Sequence, residues 1–467
     1  MPDRKPKRTD GCPGFEMASR FSRRSALRLG GLFGVNLGLA SLLQQQASAV
    51  GSTRTFGKAK RVIMLFLHGG HPQQETFDPK PNGPSAVKGE FGAISTNVSG
   101  VQFSEMLPAC AQLMDRFSII RSMSHDNPNH VTACLPAQTG HKHPPGTPMT
   151  DFPPAPSDFP PVGAVLSHLR GSETKLPSWF RIGPLMRRSN GTTLHGQLPG
   201  FLGAKNDHFT VDQKLLGDDV KVEAVQPTID LSTDRLGSRR DLLREFDKQR
   251  AILDRESSAR NLDEFYQKAF GLLASPATQA AFNVAAESPA MRDRYGKTEF
   301  GQRCLLARRL SEAGVPMVNV SYCHTPSGSW DTHSNNFNKL KKSLAPTLDA
   351  AVHGLVTDLE ERGLLDETLV VVNAEFGRTP KINSRSGRDH WPWVYSLVLA
   401  GAGTRPGTIF GASDKSAAYP AESPRTQGDF LATLYHLLGV DPKTVLRDQL
   451  GRPHHLIAGS VINELLA

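Results

Sequence analysis

The sequence has little cysteine: five residues in 467, none of them in a Cys-x-x-Cys pair or at zinc-finger spacing. This excludes a thiolate zinc module and a disulfide framework, although individual disulfides outside the cytoplasm remain compatible with it. Runs of Lys and Arg interleaved with aromatic residues are also missing, and there is no internal repeat, so no nucleic-acid surface is indicated. With 38% hydrophobic and 21% charged residues, the chain has the composition of a globular protein with a large core.

Residues 1–49 have the pattern of an export signal. Ser22-Arg23-Arg24-Ser25 precedes a glycine-rich, mildly apolar stretch that ends at Leu43, and Ala47-Ser48-Ala49 is a small-x-small cleavage site. A membrane anchor is the alternative, but the glycines, Asn36 and three glutamines make this stretch a weak spanning helix. We therefore expect export by the twin-arginine pathway to the periplasm or cell surface, with no membrane span after cleavage.

Removal of this segment lowers the net charge. It carries eight Lys and Arg against three Asp and Glu, so five of the nine net positive charges belong to it and +4 remains on residues 50–467. A surplus this small gives no reason to expect a nucleic-acid partner. Because the twin-arginine pathway carries folded proteins, export by this pathway favours a metal loaded before export.

Five apolar segments have the composition of buried strands, and helical patterns at 301–313 and 346–362 alternate with them. The alternation predicts one large α/β domain over 50–467, with a mostly parallel central sheet flanked by helices. Within it, residues 176–300 are expected to contain a loop-rich insertion at 176–225, which lies over the sheet and covers the site, and an amphipathic helical segment at 238–270. The predicted strands are 61–67, 117–120, 315–322, 369–372 and 394–400.

Polar residues follow the predicted strands where a site is expected. In a right-handed βαβ unit the loops after both parallel strands lie at the same edge of the sheet, and ligands bind there. The alternative is a polar loop whose charges are solvated. The residues assigned to this edge are Asp331, His333, Glu375, Arg378, Arg388, Asp389 and His390.

Two further loops follow strands at the same edge. Glu75 and Asp78 lie in a proline-rich loop after the first strand, where no helix is compatible with the sequence. The loop after the second strand holds four histidines within residues 125–143. Either this loop handles a metal or an anion, or it is merely polar.

The chemistry of these residues favours a cation site. Carboxylates and imidazoles together suit a divalent metal such as zinc, calcium or manganese, which would polarise a phosphoryl or sulfuryl oxygen or activate a bound water. Arg378 and Arg388 are donor-only groups suited to clamping an anion. The predicted metal ligands are Asp331, His333, Glu375, Asp389 and His390, with Glu75 and Asp78 as further carboxylates.

Five motifs of the chain occur together in a known family. They are ETFDPKP at 75–81, WDTHSNNF at 330–337, AEFGRTP at 374–380, GRDHWP at 387–392 and DQLGRPHHLIAGSVINEL at 448–465. In combination they resemble the secreted domain-of-unknown-function 1501 family, related to the alkaline phosphatase and sulfatase superfamily. The resemblance covers essentially all of residues 50–467 and implies an alkaline phosphatase/sulfatase-like α/β fold.

The resemblance also carries over to single positions. Asp331 and His333 resemble the superfamily's Asp and His segment, and His390 resembles its final histidine. Glu375-Phe376 stands where an Asp-His pair is expected, and His68 stands at the position of the first aspartate. These two departures affect the residues on which a two-metal mechanism depends.

The nucleophile position shows a third departure. Residues 126–130, Asp-Asn-Pro-Asn-His, are similar to the Thr-x-Pro-Asn-His pattern of the phosphodiesterase branch, with Asp126 in place of the threonine. The resemblance therefore assigns Asp126 and His130 to catalysis. Ser122, Ser124 and Thr132 are neighbouring alternatives.

We therefore expect a secreted, metal-dependent hydrolase of sulfate or phosphate esters, acting on a sulfated or phosphorylated small molecule or polysaccharide. The alternative is a non-catalytic secreted protein of the same fold that binds an anionic polysaccharide or a protein partner. The chain lacks the Cys-x-Pro-x-Arg segment of sulfatases, which favours the alternative. The retained Asp331, His333 and His390 favour a working site.

Overall fold

The computed structural model describes residues 54–172, 174, 176–217, 222, 276–323 and 329–467. The expected export signal, residues 1–49, lies outside the described residues. So does the helical segment predicted at 238–270.

An eight-stranded central sheet organises the described chain. Its spatial order is β8-β2-β7-β6-β1-β5-β3-β4. Every pairing is parallel except those of β7, which runs antiparallel to both of its neighbours. The predicted α/β fold with a mostly parallel sheet is therefore confirmed. In chain order the strands are β1 (Arg61–Phe66), β2 (Phe117–Met123), β3 (Trp179–Ile182), β4 (Phe209–Val211), β5 (Met317–Ser321), β6 (Thr368–Asn373), β7 (Tyr395–Ala400) and β8 (Thr408–Phe410).

The reversed strand β7 determines where the loop at 374–394 lies. A parallel neighbour would require a crossover to the opposite edge, whereas an antiparallel neighbour is reached by a direct return. The loop therefore leaves β6 and enters β7 at the same edge, which is also the carboxyl edge of β1 and β5. Within it, Gly377–Arg378 pairs antiparallel with His390–Trp391, so that His390 lies opposite Arg378.

Helices cover both faces of the sheet. The longest, α8, follows a π-helical turn at Leu340–Leu344 and leads back to the sheet ahead of β6. In chain order the described helices are α1 (Pro108–Ala111), α2 (His130–Thr139), α3 (Val162–Arg170), α4 (Pro276–Phe282), α5 (Pro289–Arg294), α6 (Glu299–Glu312), α7 (Asn336–Lys339), α8 (Ala345–Glu361) and α9 (Gln427–Leu437).

The two faces of the sheet carry two separate cores. Successive strand residues point to opposite faces, so Ile63 and Leu65 of β1 pack with α6 and α8, while Val62 and Met64 pack with α3 and α9. Because β1 is buried on both faces, its sequence is a continuous apolar run rather than an alternating one. No helix in the described ranges combines the length and the apolar content that crossing a membrane requires.

The predicted insertion at 176–225 needs a correction. It supplies β3 and β4, which form one edge of the central sheet, rather than lying over it. These strands are only four and three residues long, and β3 includes Arg181, so neither has the long apolar run that predicted the central strands. Between them, a hairpin closed by the bridge between Arg187 and Thr193 does reach the carboxyl edge of the sheet.

Short two-stranded ribbons and free thiols complete the described chain. The four described cysteines, Cys110, Cys134, Cys304 and Cys323, are all buried and none forms a disulfide. The ribbons pair Ala93–Ser95 with Gln102–Ser104, Ala412–Ser413 with Pro420–Glu422, and Val445–Arg447 with Pro453–His455.

Candidate metal centre

Three imidazole nitrogens converge on one carboxylate oxygen at the carboxyl edge of the sheet. Asp331 Oδ1 lies 3.2 Å from His130 Nε2, 3.1 Å from His333 Nε2 and 3.3 Å from His390 Nε2. The four donor atoms lie within 4.8 Å of one another. Two of the rings remain partly open to solvent, with side-chain exposures of 34% for His333 and 20% for His390. The cluster is thus accessible from one side.

Local sequence signals place His130 at this edge. It is the first residue of α2, whose N-cap Asn129 accepts a hydrogen bond from the Thr132 backbone, and Gly140 ends the helix with φ +74°. Asparagine before the helix and glycine after it fix the start and the end of α2. The imidazole of His130 is fully buried, so it reaches the cluster from the interior of the protein.

The second ring nitrogen of each histidine faces an acceptor. His130 Nδ1 lies 2.5 Å from Glu375 Oε1, His333 Nδ1 lies 2.6 Å from Asp389 Oδ1, and His390 Nδ1 lies 2.7 Å from the Pro128 carbonyl. A carbonyl or a carboxylate accepts only, so each Nδ1 carries a proton and each Nε2 is the nitrogen that faces the cluster. Metal-binding histidines in proteins are oriented in this way.

The contacts within the cluster favour binding of a cation. His333 Nε2 and His390 Nε2 are 2.8 Å apart, so a proton must lie between two nitrogens that would otherwise direct lone pairs at each other. The hydrogen bond with Asp331 raises the pKa of His333, whereas burial lowers the pKa of His390 to about 4. His333 is therefore the residue that holds this proton, and a bound metal would displace it.

Asp331 is kept ionised although it is largely buried. Burial by itself would raise its pKa, but the close contacts with the three histidines and the charge of Arg378 hold the pKa well below its usual range. Arg378 Nη2 donates to Asp331 Oδ1 at 2.7 Å, and its other donors bind the carbonyls of Gly69, Gly70 and Arg388. Arg378 is fully buried. It positions Asp331 and is not exposed to a substrate, which corrects the prediction that it clamps an anion.

Glu375 orients the His130 ring from the buried side of the cluster. Its Oε1 atom accepts from His130 Nδ1 and from the Gly69 backbone at 2.8 Å. Burial opposes ionisation of Glu375, but the hydrogen bond from His130 and the electrostatic interactions with His130 and His68 together lower the pKa. Asp389 does the same for His333. The two predicted carboxylate ligands therefore hold histidine rings in place.

His68, His130 and Glu375 form a second buried group of potential ligands. His130 cannot serve both groups, because an imidazole whose Nδ1 keeps its proton has one lone pair, which faces Asp331. In the part of the chain that the structure describes, this leaves His68 Nε2 and Glu375 Oε2, two buried atoms that lack a hydrogen-bond partner. Two donors are too few for a closed cation site. The geometry fits one metal ion rather than two.

Glu75 and Arg388 bind each other instead of the cluster. Arg388 Nε and Nη2 lie 2.8 and 2.5 Å from the two carboxylate oxygens of Glu75, and both side chains are buried. The remaining donors of Arg388 bind the carbonyls of Val87, Thr379 and Pro380. All five guanidinium N–H groups are thus satisfied inside the protein. The predicted metal role of Glu75 and the predicted anion role of Arg388 are both replaced by a structural ion pair.

Asp78 and Asp126 also lie apart from the cluster. Asp78 is buried among Lys80, Arg121 and the Ser413 hydroxyl. The side chain of Asp126 is 64% exposed and lies 3.4 Å from Lys142 Nζ. Two of the three neighbouring hydroxyls are engaged elsewhere: Thr132 binds Asn127 and Asn129, and Ser122 binds the Ser423 carbonyl. The proposed nucleophile position is therefore not directed at the cluster.

Sequence reasoning assigned no role to one residue that lies beside Asp331. Arg188, on the hairpin between β3 and β4, has Nη1 3.5 Å from Asp331 Oδ2. The sequence indicated only that Arg188 belongs to a segment expected to cover the site. His68 was recognised as a departure from the family pattern, and the structure places it in the second buried group.

Gly69 is where the end of β1 passes the Asp331 backbone. Its φ is +110°, and an added Cβ would lie 2.2 Å from the Asp331 nitrogen. Gly69→Ala is expected to displace Asp331 and to cost about 1–3 kcal/mol in backbone strain alone, so metal affinity and unfolding free energy should both fall. Gly100→Ala is the matched control, because Gly100 has φ +81° and no atom within 4 Å of an added Cβ. Equal effects on metal affinity, measured by chelator competition, would contradict the role given to Gly69.

The solved structures that match this chain do so at low sequence identity. The PsFucS1 sulfatase from Pseudoalteromonas sp. is 13% identical, with 91% of this chain and 76% of that chain covered and a TM-score of 0.39. The phosphonate monoester hydrolase SpPMH from Silicibacter pomeroyi is 14% identical, with 87% and 76% covered and a TM-score of 0.35. The lipoteichoic acid synthase LtaP from Listeria monocytogenes is 10% identical, with 88% and 81% covered and a TM-score of 0.37.

Comparison at the level of sequence gives a match to a protein family. No curated protein matches the chain. A family model described as "Protein of unknown function (DUF1501)" matches residues 59–466, which include every residue of the cluster. Because this match spans far more than half of the sequence, the chain belongs to the DUF1501 family.

Proposed function

We propose that this protein is an exported, metal-dependent hydrolase of phosphate or sulfate esters. The observation that supports the proposal is the convergence of His130, His333 and His390 on Asp331, with each Nδ1 held by an acceptor. Three histidines and one carboxylate form a borderline donor set that suits zinc better than calcium, which prefers six or more oxygens, or manganese, which prefers carboxylate and carbonyl oxygens. Zinc is thus favoured over the calcium and manganese alternatives.

The residues of the chain divide the work. Asp331 and the three histidines would hold the ion, Glu375, Asp389 and the Pro128 carbonyl keep the rings oriented, and Arg378 keeps Asp331 ionised. A bound zinc ion would act as a Lewis acid on an ester oxygen and lower the pKa of water. The cluster presents its open side at His333 and His390, where an ester would approach.

The position of Asp126 bears on the type of hydrolysis. Because Asp126 is at the surface and the Ser122 and Thr132 hydroxyls are bonded elsewhere, these residues offer no covalent nucleophile at the cluster. Attack by water is therefore the proposed route. The same observation favours the alternative function, a non-catalytic protein that binds an anionic polysaccharide or a protein partner through the same site.

Metal analysis together with hydrolysis assays separates the two functions. We expect the purified mature protein to contain about one zinc ion per chain and to hydrolyse aryl phosphate or aryl sulfate esters, with activity lost on chelation and restored by zinc. A stoichiometric metal without hydrolysis of either ester class would favour the binding protein. Absence of metal after incubation with zinc, calcium or manganese would contradict the proposal itself.

A further inference from the structure

Arg188 is a basic residue at the mouth of the cluster. It lies in the hairpin between β3 and β4, with Nη1 3.5 Å from Asp331 Oδ2 and Nε 3.6 Å from Asp151 Oδ2. Asp331 Oδ2 is the oxygen that faces away from the histidines, since all three Nε2 atoms approach Oδ1. Arg188 therefore stands beside the proposed metal position without occupying it.

The hairpin that carries Arg188 is firmly attached. Its turn is closed by bonds between the Arg188 nitrogen and the Thr192 carbonyl and between the Gly191 nitrogen and the Arg188 carbonyl. At its base, the Gln197 side chain binds the backbone of Met186 and Leu194. Met186 and Leu194 are buried in a small core with Val131 and Cys134 of α2. The hairpin that carries Arg188 is thus attached to the helix that begins with His130.

Arg188 differs from the two arginines of the 374–394 loop in the state of its donors. Arg378 and Arg388 are fully buried and their N–H groups bind carbonyls and carboxylates of the protein. The side chain of Arg188 is 25% exposed, and its two ion pairs, at 3.5 and 3.6 Å, are longer than hydrogen bonds. Its donors therefore remain available to a ligand that enters from solvent.

We propose that Arg188 is the anion-binding residue of this site, which recognises the tetrahedral oxyanion group of a phosphate or sulfate ester. This inference rests on the proposed function and adds the residue that selects the charged group of the substrate. A guanidinium presents paired donors that match two oxygens of one phosphoryl or sulfuryl group. Asp331 then lies between two positive groups: the metal ion that it would bind and the Arg188 guanidinium that would bind the substrate.

Anion binding by zinc-loaded protein tests the assignment without an activity assay. Inorganic phosphate and inorganic sulfate are titrated calorimetrically into the wild type and into Arg188→Ala, Arg188→Gln and Arg187→Ala, and zinc content is measured on the same samples. Arg187 is the matched control, because it is the neighbouring arginine of the same hairpin and its side chain is exposed. Whichever anion binds the wild type more tightly indicates the ester class.

We expect Arg188→Ala and Arg188→Gln to weaken anion binding on the order of ten- to a hundredfold, the effect of losing charge-assisted hydrogen bonds, while zinc content stays at the wild-type value. Arg187→Ala should bind the anion as the wild type does. Unchanged anion affinity in both Arg188 variants would overturn the inference, as would loss of zinc, which would make Arg188 a positioning residue for Asp331. A wild type that holds zinc but neither anion overturns the inference alone, whereas one that holds no zinc overturns the proposed function as well.

Discussion

Replacing His333 with alanine is expected to weaken zinc binding roughly a hundred- to a thousandfold. Structural zinc sites are worth about 10–16 kcal/mol, so one ligand of four accounts for about 2.5–4 kcal/mol. His333 is half-buried on a loop, so its removal should leave the folded protein intact. Zinc affinity is measured by competition with a chromophoric chelator, and circular dichroism of the metal-free variant reports on its fold.

A graded series separates ligands from orienting residues. Asp389→Ala removes the acceptor of His333 Nδ1 and is expected to weaken zinc binding by roughly ten- to a hundredfold, the usual effect of losing such a partner. Asp126→Ala is the control and should bind zinc as the wild type does, because Asp126 is exposed and lies beside Lys142. A greater loss of zinc from Asp389→Ala than from His333→Ala would make Asp389 the ligand and would contradict the assignment.

Replacing Arg388 with methionine is expected to lower the free energy of unfolding by about 3–5 kcal/mol, because the Glu75 carboxylate is left buried without its partner. The carbonyls of Val87, Thr379 and Pro380 also lose their donor. Urea denaturation in the presence of a chelator measures the change without a contribution from bound metal.

Arg385→Met is the control for this stability measurement. Arg385 lies in the same loop but is exposed, so the substitution should change the unfolding free energy by less than about 0.5 kcal/mol. An additional Glu75→Leu change in the Arg388→Met variant should recover part of the loss, since an apolar pair removes the unpaired charge but not the unpaired carbonyls. If Arg388→Met were as stable as Arg385→Met, Arg388 would be free to act on a substrate and the sequence-based role would return.

Most of the fold and the position of the site could be predicted from residue patterns. The continuous apolar runs of β1 and β6 reflect strands buried on both faces, a property that each strand carries locally. Polar residues after those runs must lie at the carboxyl edge of the sheet, because crossover connections have a fixed hand. Asp331, His333 and His390 were therefore predicted to meet, and the structure brings them together. The edge strands β3 and β4 were missed, since they are too short to show a pattern.

The role of each charged residue could not be read from the sequence. Arg188, Arg378 and Arg388 have the same side chain, and only the surrounding protein distinguishes a guanidinium whose donors are all bound from one with donors to spare. Glu375 and Asp389 likewise have the chemistry of metal ligands, but the structure turns both toward histidine Nδ1 atoms. The sequence by itself thus determined which elements form the sheet and which residues reach its carboxyl edge. Tertiary structure alone decided which of them are ligands, which orient the ligands and which remain accessible, because burial and hydrogen-bond saturation depend on residues far apart in the chain.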